Sequence, residues 1–393
     1  MKILAINYEY PPLGGGGGFV TRDIVEEIAL RGHCVTVITS HFKGLAKQEI
    51  VNGVNIIRVP VLFRNKVEVA NMASMLCYLP SSIAKGFTGF KRKTFDIINT
   101  HFAVPSGPAG YFLSRAMKIP NVLSIHGGDI YDPSKSSSPH RTPIFSKVVY
   151  SMLKSADRVV AQSTDTKRNA YTYYKIDRPI DVIPLGIKKP VFKNKSRSDF
   201  DLKGDEIVFC TIGRLVKRKN IDDICSILSG LKNECKFKLL VIGEGPQRSH
   251  LEKLALQLGL NSDVRFLGSV SDEAKFQLLA LSDFYLSTAL HEGFGLVFLE
   301  AMECGLPIIC YDRGGQRDFL ESGKTGFLVE FGNRHAFGSR IVELIKNPQV
   351  RASMREYNRR LIKKYYINTC AQRYVSLFND VICEHSKSRE NMN

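Results

Sequence analysis

An α/β chain of two doubly wound domains facing one another across a central cleft is the fold class this sequence predicts, and three observations predict it. Its 393 residues exceed what a single hydrophobic core ordinarily supports, so two domains are expected. Short apolar runs rich in Val and Ile alternate with helical patterns, as they do where a parallel sheet is covered on both faces. That alternation runs once, is interrupted by a polar, basic stretch, and then restarts.

In the first series, strands are predicted at Lys2–Asn7, Cys34–Thr39, Ile97–Asn99, Asn121–Ile125, Arg158–Ala161 and Val182–Ile183. Phe19–Leu30 reads as a helix because Val20, Ile24 and Ile28 fall on one face. Val54–Pro60 follows Asn52-Gly53 and reads as the second arm of a hairpin. The second series places strands at Glu206–Gly213, Phe237–Gly243, Val264–Leu267, Phe284–Ser287, Pro307–Tyr311 and Gly326–Val329, before a wholly helical C-terminus. The expected domains are therefore 1–186 and 204–366, with 187–203 as linker and a helix near 367–385 completing the first.

No apolar run approaches the ~18–20 residues that span a bilayer. The opening Met1-Lys-Ile-Leu-Ala-Ile reads as a buried strand rather than a signal peptide. Nine cysteines, odd in number and never spaced Cys-x-x-Cys, argue against a disulfide framework or a zinc site, so a cytoplasmic location is expected. The net charge of +17 divides into +10 over 1–186 (23 basic, 13 acidic) and +7 over the remainder (32 basic, 25 acidic). Such a surface admits phosphate-bearing substrates, anionic lipid or nucleic acid, or is that of a plain soluble basic protein. No nucleic-acid recognition module is present, so that partner is not expected.

The strongest segment is Glu292-Gly293-Phe294-Gly295-Leu296-Val297-Phe-Leu-Glu300, continuing to Gly305-Leu-Pro307. A strand ends near Ser287 and a helix begins around Gly295, so the glycines place Glu292 in the loop and Glu300 about one and a half turns in. The free amides of Leu296 and Val297 beside a glycine turn make an anion site suited to a diphosphate. A carboxylate one turn further on suits vicinal hydroxyls. The plain alternative is an ordinary strand–turn–helix with two surface glutamates. In Gly213-Arg214-Leu-Val-Lys217-Arg218-Lys219, Arg214 and Lys219 flank a loop at the carboxyl end of a strand, where open α/β sheets bind ligands. Lys217 and Arg218 read as solvated charges.

Gly243-Glu-Gly245 and Gly268-Ser-Val270 are weaker turns after strands. Tyr10-Pro-Pro-Leu-Gly14-Gly15-Gly16-Gly-Gly18 joins the first strand to the first helix, where close backbone approach and an anion at the helix start are expected, against the alternative of a mobile surface loop. Ser124-Ile-His126-Gly-Gly-Asp129 follows another strand, and a lone histidine there is structural or functional. A metal is not expected, because the one Asp-x-Asp, Asp199-Phe-Asp201, precedes the strand it would have to follow.

These segments resemble the family-4 retaining glycosyltransferases of GT-B fold, whose Glu-x7-Glu motif matches Glu292 and Glu300 within Glu-Gly-Phe-Gly-Leu and Glu-Ala-Met-x-Cys-Gly-x-Pro. The resemblance runs from Gly14 to Phe331 and is weakest at 60–95 and in the C-terminal helices. It implies that Glu300 binds the donor ribose, that Glu292 lies against the transferred sugar, and that Gly293, Phe294, Gly295, Leu296 and Val297 hold sugar and diphosphate. It further implies that Arg214 and Lys219 touch the donor phosphates. Gly213 and Gly243 would lie near the nucleotide, and Val270 near the base. Gly15 and Gly16 would close over donor phosphate and face the acceptor, while His126 bonds the transferred sugar and Asp129 stands on the acceptor side. Two departures stand out: Gly314-Gly-Gln-Arg317-Asp318 replaces the usual Gly-Gly-x-Pro-Glu, and His291 replaces a frequent aromatic.

The expected reaction is hexosyl or N-acetylhexosaminyl transfer from a nucleotide sugar, UDP-linked by preference, with no cofactor. Glycan, lipid-linked or small-molecule hydroxyls are the expected acceptors, in cell-surface polysaccharide or glycolipid synthesis. The competing readings are a nucleotide-sugar epimerase or phosphorylase of the same fold, and a basic nucleic-acid- or membrane-binding protein. Met72–Phe95 mixes Met75, Leu76, Tyr78, Leu79, Ile83, Phe87 and Phe90 with Lys85, Lys91, Arg92 and Lys93, either an amphipathic contact with an anionic membrane surface or a core helix with a basic loop.

Overall fold

The structure, a computed structural model, describes residues 1–67, 70–91 and 94–390. It divides into two compact units, one of Met1–Gly186 with the segment from Ile367 onward, the other of Ile187–Tyr366.

The first unit is built on β1 (Lys2–Ile6), β2 (Cys34–Ser40), β3 (Gln48–Val51), β4 (Val54–Val59), β5 (Ile97–His101), β6 (Asn121–Ile125), β7 (Arg158–Ala161) and β8 (Asp181–Val182). They lie in the order β3-β4-β2-β1-β5-β6-β7-β8, parallel except for β3. The β3–β4 hairpin turns through Asn52 and Gly53, both at positive φ (49° and 80°), as the Asn-Gly pair predicts. Helices α1 (Gly16–Leu30), α2 (Met72–Gly89), α3 (Gly107–Met117), α4 (Pro143–Ser155) and α5 (Thr164–Tyr174) join them. Leu4, Ile6 and Ile98 pack with Tyr78 and Leu113 in one core, and Leu123, Ile125 and Val159 with Val149 and Leu153 in another.

The second unit carries β9 (Ile207–Ile212), β10 (Phe237–Ile242), β11 (Val264–Gly268), β12 (Phe284–Ser287), β13 (Ile308–Tyr311) and β14 (Gly326–Val329), all parallel, in the order β11-β10-β9-β12-β13-β14. Its helices are α6 (Ile221–Ser229), α7 (Arg248–Gln257), α8 (Asp272–Leu281), α9 (Leu296–Glu303), α10 (Arg334–Lys346) and α11 (Pro348–Leu361). Phe209, Leu239, Phe284 and Ile309 of the sheet meet Ile224, Leu228, Phe337 and Ile341 of α6 and α10. Strand order reverses between β9 and β12, which makes that point a ligand-binding switch in a doubly wound sheet.

The chain returns to the first unit as α12 (Ile367–Glu390). Ile367, Cys370, Ala371, Tyr374, Val375, Phe378 and Val381 form its buried face. Tyr374 donates to the Ser124 hydroxyl at 3.2 Å, Arg31 donates to Gln372 and to the Asn368 carbonyl, and Arg158 pairs with Glu384 at 2.7 Å.

Two expectations change, and one open alternative is narrowed. Helix α1 begins at Gly16, not Phe19, because Gly17 and Gly18 are needed where neighbours press close: a Cβ would stand 2.2 Å from Phe102 Cζ and 3.1 Å from the Leu13 carbonyl. Residues 187–203 are not a free linker but part of the second unit. Arg197 in that stretch donates to the Leu281 and Glu206 carbonyls and pairs with Asp283 at 2.7 Å. In α2, Met75, Tyr78, Leu79, Ile83 and Phe90 turn into the core, leaving Leu76 and Phe87 exposed. Arg92 and Lys93 lie outside the described residues. Among the described residues no helix is long and apolar enough to cross a membrane.

Candidate functional site

The loops after β9 and β12 flank the switch point of the second sheet. Gly213 donates to the Ile242 carbonyl at 2.9 Å and Gly243 to the Gly268 carbonyl at 2.8 Å, lacing the ends of β9, β10 and β11 together. A Cβ on Gly243 would stand 2.1 Å from the Gly213 carbonyl oxygen, so the approach requires glycine. Lys219 lies across Gly213, whose Cβ would meet its Cε at 2.5 Å. Val270 is half-buried beyond Gly268.

Glu292 is buried and held by two cations, Lys219 Nζ at 2.6 Å from Oε1 and Arg218 Nη1 at 3.2 Å from Oε2. Burial alone would raise its carboxyl. Lys219 first, and then Arg218, outweigh that and hold it at about 2, so Glu292 is a carboxylate at neutral pH. Arg218 also donates to the His291 carbonyl at 2.5 Å, and Gly315 donates to the Glu292 carbonyl at 2.8 Å. Arg218 is thus not a solvated charge. The sequence reading missed it because its carboxylate partner, Glu292, lies far along the chain. Lys217 faces a different hollow, with Asp222 and His250.

Gly295 stands at φ +94° and caps α9, and a Cβ there would strike Phe298 Cδ2 at 2.4 Å. The amides of Leu296 and Val297 follow it with no hydrogen-bond partner among the described residues. Phe294 packs its ring against Phe319 at 5.0 Å and offers only backbone, as does half-buried Gly293. Glu300 accepts from Lys275 at 2.8 Å. Burial raises its carboxyl above the usual range, against the pull of that ammonium. Lys275, at the start of α8, carries no local spacing signal in the sequence. Arg214 is exposed, with no ion pair among the described residues.

Asp199 accepts the Ser196 amide at 2.9 Å and Asp201 caps the same short turn, so both serve local structure. Among the described residues no three His, Cys, Asp or Glu side chains gather as a metal site would need. In Gly314-Gly-Gln316-Arg317-Asp318, Gln316 is buried and donates to the Tyr311 and Arg313 carbonyls, and Arg317 pairs with Asp312 at 2.9 Å.

In the first unit, Gly15 and Gly16 are exposed with open space where a Cβ would stand. At the N-cap of α1 the protein's own carboxylate is present, Glu9 Oε2 accepting the Gly15 amide at 3.2 Å. The Asp129 oxygens accept the Ala103 amide at 2.7 Å and the His126 amide at 2.9 Å. Burial raises its carboxyl to about 6 against those two amides. Asp129 therefore braces the loops after β5 and β6, one oxygen to each. His126 is nearly buried, its carbonyl held by Gln162 at 2.6 Å and its ring packed on Phe102 at 4.5 Å. Its Nε2 lies 3.0 Å from Nδ1 of His101, a residue no motif singled out. Burial lowers His126 to about 4, and burial with the neighbouring ring holds His101 well below the usual histidine range.

Two family models cover most of the chain between them, Glycosyltransferase Family 4 over 14–189 and Glycosyl transferases group 1 over 192–361. The chain is 27% identical over 383 residues to the N-acetyl-alpha-D-glucosaminyl L-malate synthase of Bacillus anthracis, covering 95% of this chain and 96% of that one. Among solved structures it is similar to sucrose-phosphate synthase from Thermosynechococcus elongatus, at 20% identity and a TM-score of 0.85 over 98% of this chain and 100% of the other. It is also similar to Anabaena HepE in complex with UDP, at 20% identity and a TM-score of 0.79 over 97% and 100%. These likenesses show the fold, which is GT-B.

Proposed function

The chain belongs to the family-4 glycosyltransferases, and we propose that it moves a sugar from a nucleoside-diphosphate sugar to an acceptor hydroxyl with retention of configuration. The observation that carries this reading is Glu292, a buried carboxylate clamped by Lys219 and Arg218 beside a left-handed glycine turn and two unpartnered amides. Arg214, Arg218 and Lys219 against Glu292 leave 3 − 1 = 2 positive charges, which match a diphosphate. The Lys219 ammonium has three donors, so it can keep Glu292 and still meet a phosphate oxygen.

In the proposed step the bond from the sugar's anomeric carbon to the diphosphate oxygen breaks and the acceptor oxygen bonds that carbon from the same face. The acceptor's proton passes to the leaving phosphate. Arg214, Lys219 and the Leu296 and Val297 amides stabilise the charge growing there, so no metal is invoked. Glu300 with Lys275 takes the ribose hydroxyls, Glu292 the sugar, and His126 the same sugar by the family resemblance. A UDP-linked hexosyl or N-acetylhexosaminyl donor is favoured because HepE was solved with UDP and with UDP-glucose. A cell-surface polysaccharide or glycolipid acceptor and a cytoplasmic setting complete the proposal. Exposed Leu76 and Phe87 of α2, with Lys91 beside it, are the proposed contact with an anionic membrane surface.

Nucleotide release from UDP- and GDP-sugars, measured on purified protein, tests the reading. Glu300→Ala, Arg214→Ala and Lys219→Ala are each expected nearly to abolish it while the fold persists. Full activity in all three sinks the assignment, and epimer formed from donor alone indicates the epimerase instead.

A further inference from the structure

Asp223 lies in the first turn of α6, shortly after Lys219, and is 5% exposed. A carboxylate in a first helical turn is ordinarily explained by the helix dipole, with its oxygens in solvent. This one spends both oxygens on other side chains of the second unit. Oδ2 accepts the Asn220 side-chain amide and the Tyr311 hydroxyl, each at 2.8 Å. Oδ1 accepts Arg334 Nε at 2.7 Å, from the start of α10.

Two of these donors sit on loops that hold Glu292. Asn220 directly follows Lys219 and stands at φ +49°. Its carbonyl accepts the Thr288 hydroxyl at 2.7 Å, and the Arg218 carbonyl accepts the Leu290 amide at 2.8 Å. The turn bearing Arg218 and Lys219 is thereby laced to the segment that leads into Glu292. Tyr311 ends β13, and the loop after it also meets Glu292. Gly315 donates to the Glu292 carbonyl at 2.8 Å, and a Cβ on Gly314 would stand 2.4 Å from that oxygen. Asn220 and Tyr311 therefore share one oxygen, and neither loop can shift against the other without giving up a buried hydrogen bond. Arg334 takes the other oxygen, belongs to neither loop, and keeps its side chain 58% exposed. For stability alone the charged Arg334 would be the partner that matters most and the neutral Tyr311 hydroxyl the least. For the placement of Lys219 and Glu292 that order is reversed.

We propose that Asp223 is a positioning residue: by holding Asn220 and Tyr311 on one oxygen, it sets the two loops that keep Lys219 against Glu292. That this pair serves sugar transfer rests on the functional reading above; the bracing does not.

Tyr311→Phe removes the hydroxyl alone, since its ring stays packed on Phe331 and Phe337. Arg334→Met removes the charged partner. With both variants folded by circular dichroism, Tyr311→Phe should lower kcat for UDP release from UDP-glucose or UDP-N-acetylglucosamine on the order of 10-fold, as a small misplacement does. Arg334→Met should stay within about twofold. A loss in Arg334→Met that equals or exceeds that in Tyr311→Phe overturns the proposal, and so does full activity in Tyr311→Phe. In a Glu292→Gln background Tyr311→Phe should add less than about twofold, because the group it aligns is gone; a further loss of about 10-fold marks an independent structural effect and overturns it. Hydrogen exchange reads the bracing without substrate. Peptides covering 216–220 and 312–316 should exchange faster in Tyr311→Phe than in Arg334→Met, and equal rates or the reverse order overturn it. Full donor turnover in Glu292→Gln would defeat the donor-site reading while leaving the exchange result standing.

Discussion

Replacing Lys219 by Met while keeping Glu292 removes the nearer of two cations from a buried carboxylate. The fall of the Glu292 carboxyl from 4.5 to about 2 corresponds to about 3 kcal/mol in favour of the ionised form, net of the burial that opposes it. Lys219 at 2.6 Å supplies more of this than Arg218 at 3.2 Å. Lys219→Met should therefore cost the second unit about 2–3 kcal/mol, and Glu292→Gln, which strands both cations, about as much. The double variant strands less charge, so its loss should fall short of the sum by about 2 kcal/mol. Because the folded pKa is depressed, the Glu292 contribution is present above pH 4.5 and is lost as pH falls toward 2. The gap between wild type and Glu292→Gln should narrow over that window. The chain has no tryptophan, so urea unfolding is followed by circular dichroism, with hydrogen exchange of 204–366 peptides marking the second unit. A coupling energy below about 0.5 kcal/mol at pH 7 would refute the pairing.

Arg218→Ala should lower donor turnover by about 10-fold or more, while exposed Lys217→Ala stays within about twofold, since only Arg218 grips Glu292. Steady-state nucleotide release distinguishes them, and equal effects would return Arg218 to the solvent. Gly295→Ala forces a Cβ into Phe298 at φ +94° and should cost about 1–3 kcal/mol, read as a lower urea midpoint. The Asp129 carboxyl rises from 3.8 to about 6 on folding, so the stability it contributes is full below pH 3.8 and is lost as pH rises through 6, about 3 kcal/mol in all. Asp129→Asn should flatten the pH dependence of the first unit's unfolding between pH 4 and 7, and an unchanged slope would contradict the assignment.

The strand–helix alternation was legible because buried parallel strands are short runs of Val and Ile that chain neighbours reveal. The Glu292–Glu300 turn was legible for a similar reason, since glycine, helix start and carboxylate lie within nine residues. What stayed hidden was pairing across the fold. Arg218 meets Glu292 only because β9 and β12 are neighbours, Lys275 meets Glu300 because α8 packs beside α9, and His101 meets His126 across two strand ends. No spacing rule links such positions. Two misreadings had the opposite origin, local chemistry overruled by context. Three glycines open α1 despite poor helix propensity because Phe102 and Leu13 leave no room for a side chain on two of them. Arg197 likewise ties a polar stretch to the second unit.

The return of α12 to the first unit has a consequence for synthesis on the ribosome. The first 186 residues emerge complete in every strand of their sheet, yet the helix that covers α1 and reaches Ser124 is encoded 180 residues later. At roughly 5–20 residues per second, translation of the intervening unit lasts on the order of ten seconds or more. Throughout that interval the surface destined for Tyr374, Val375 and Phe378 is uncovered, so the second unit can finish folding before the first is able to close.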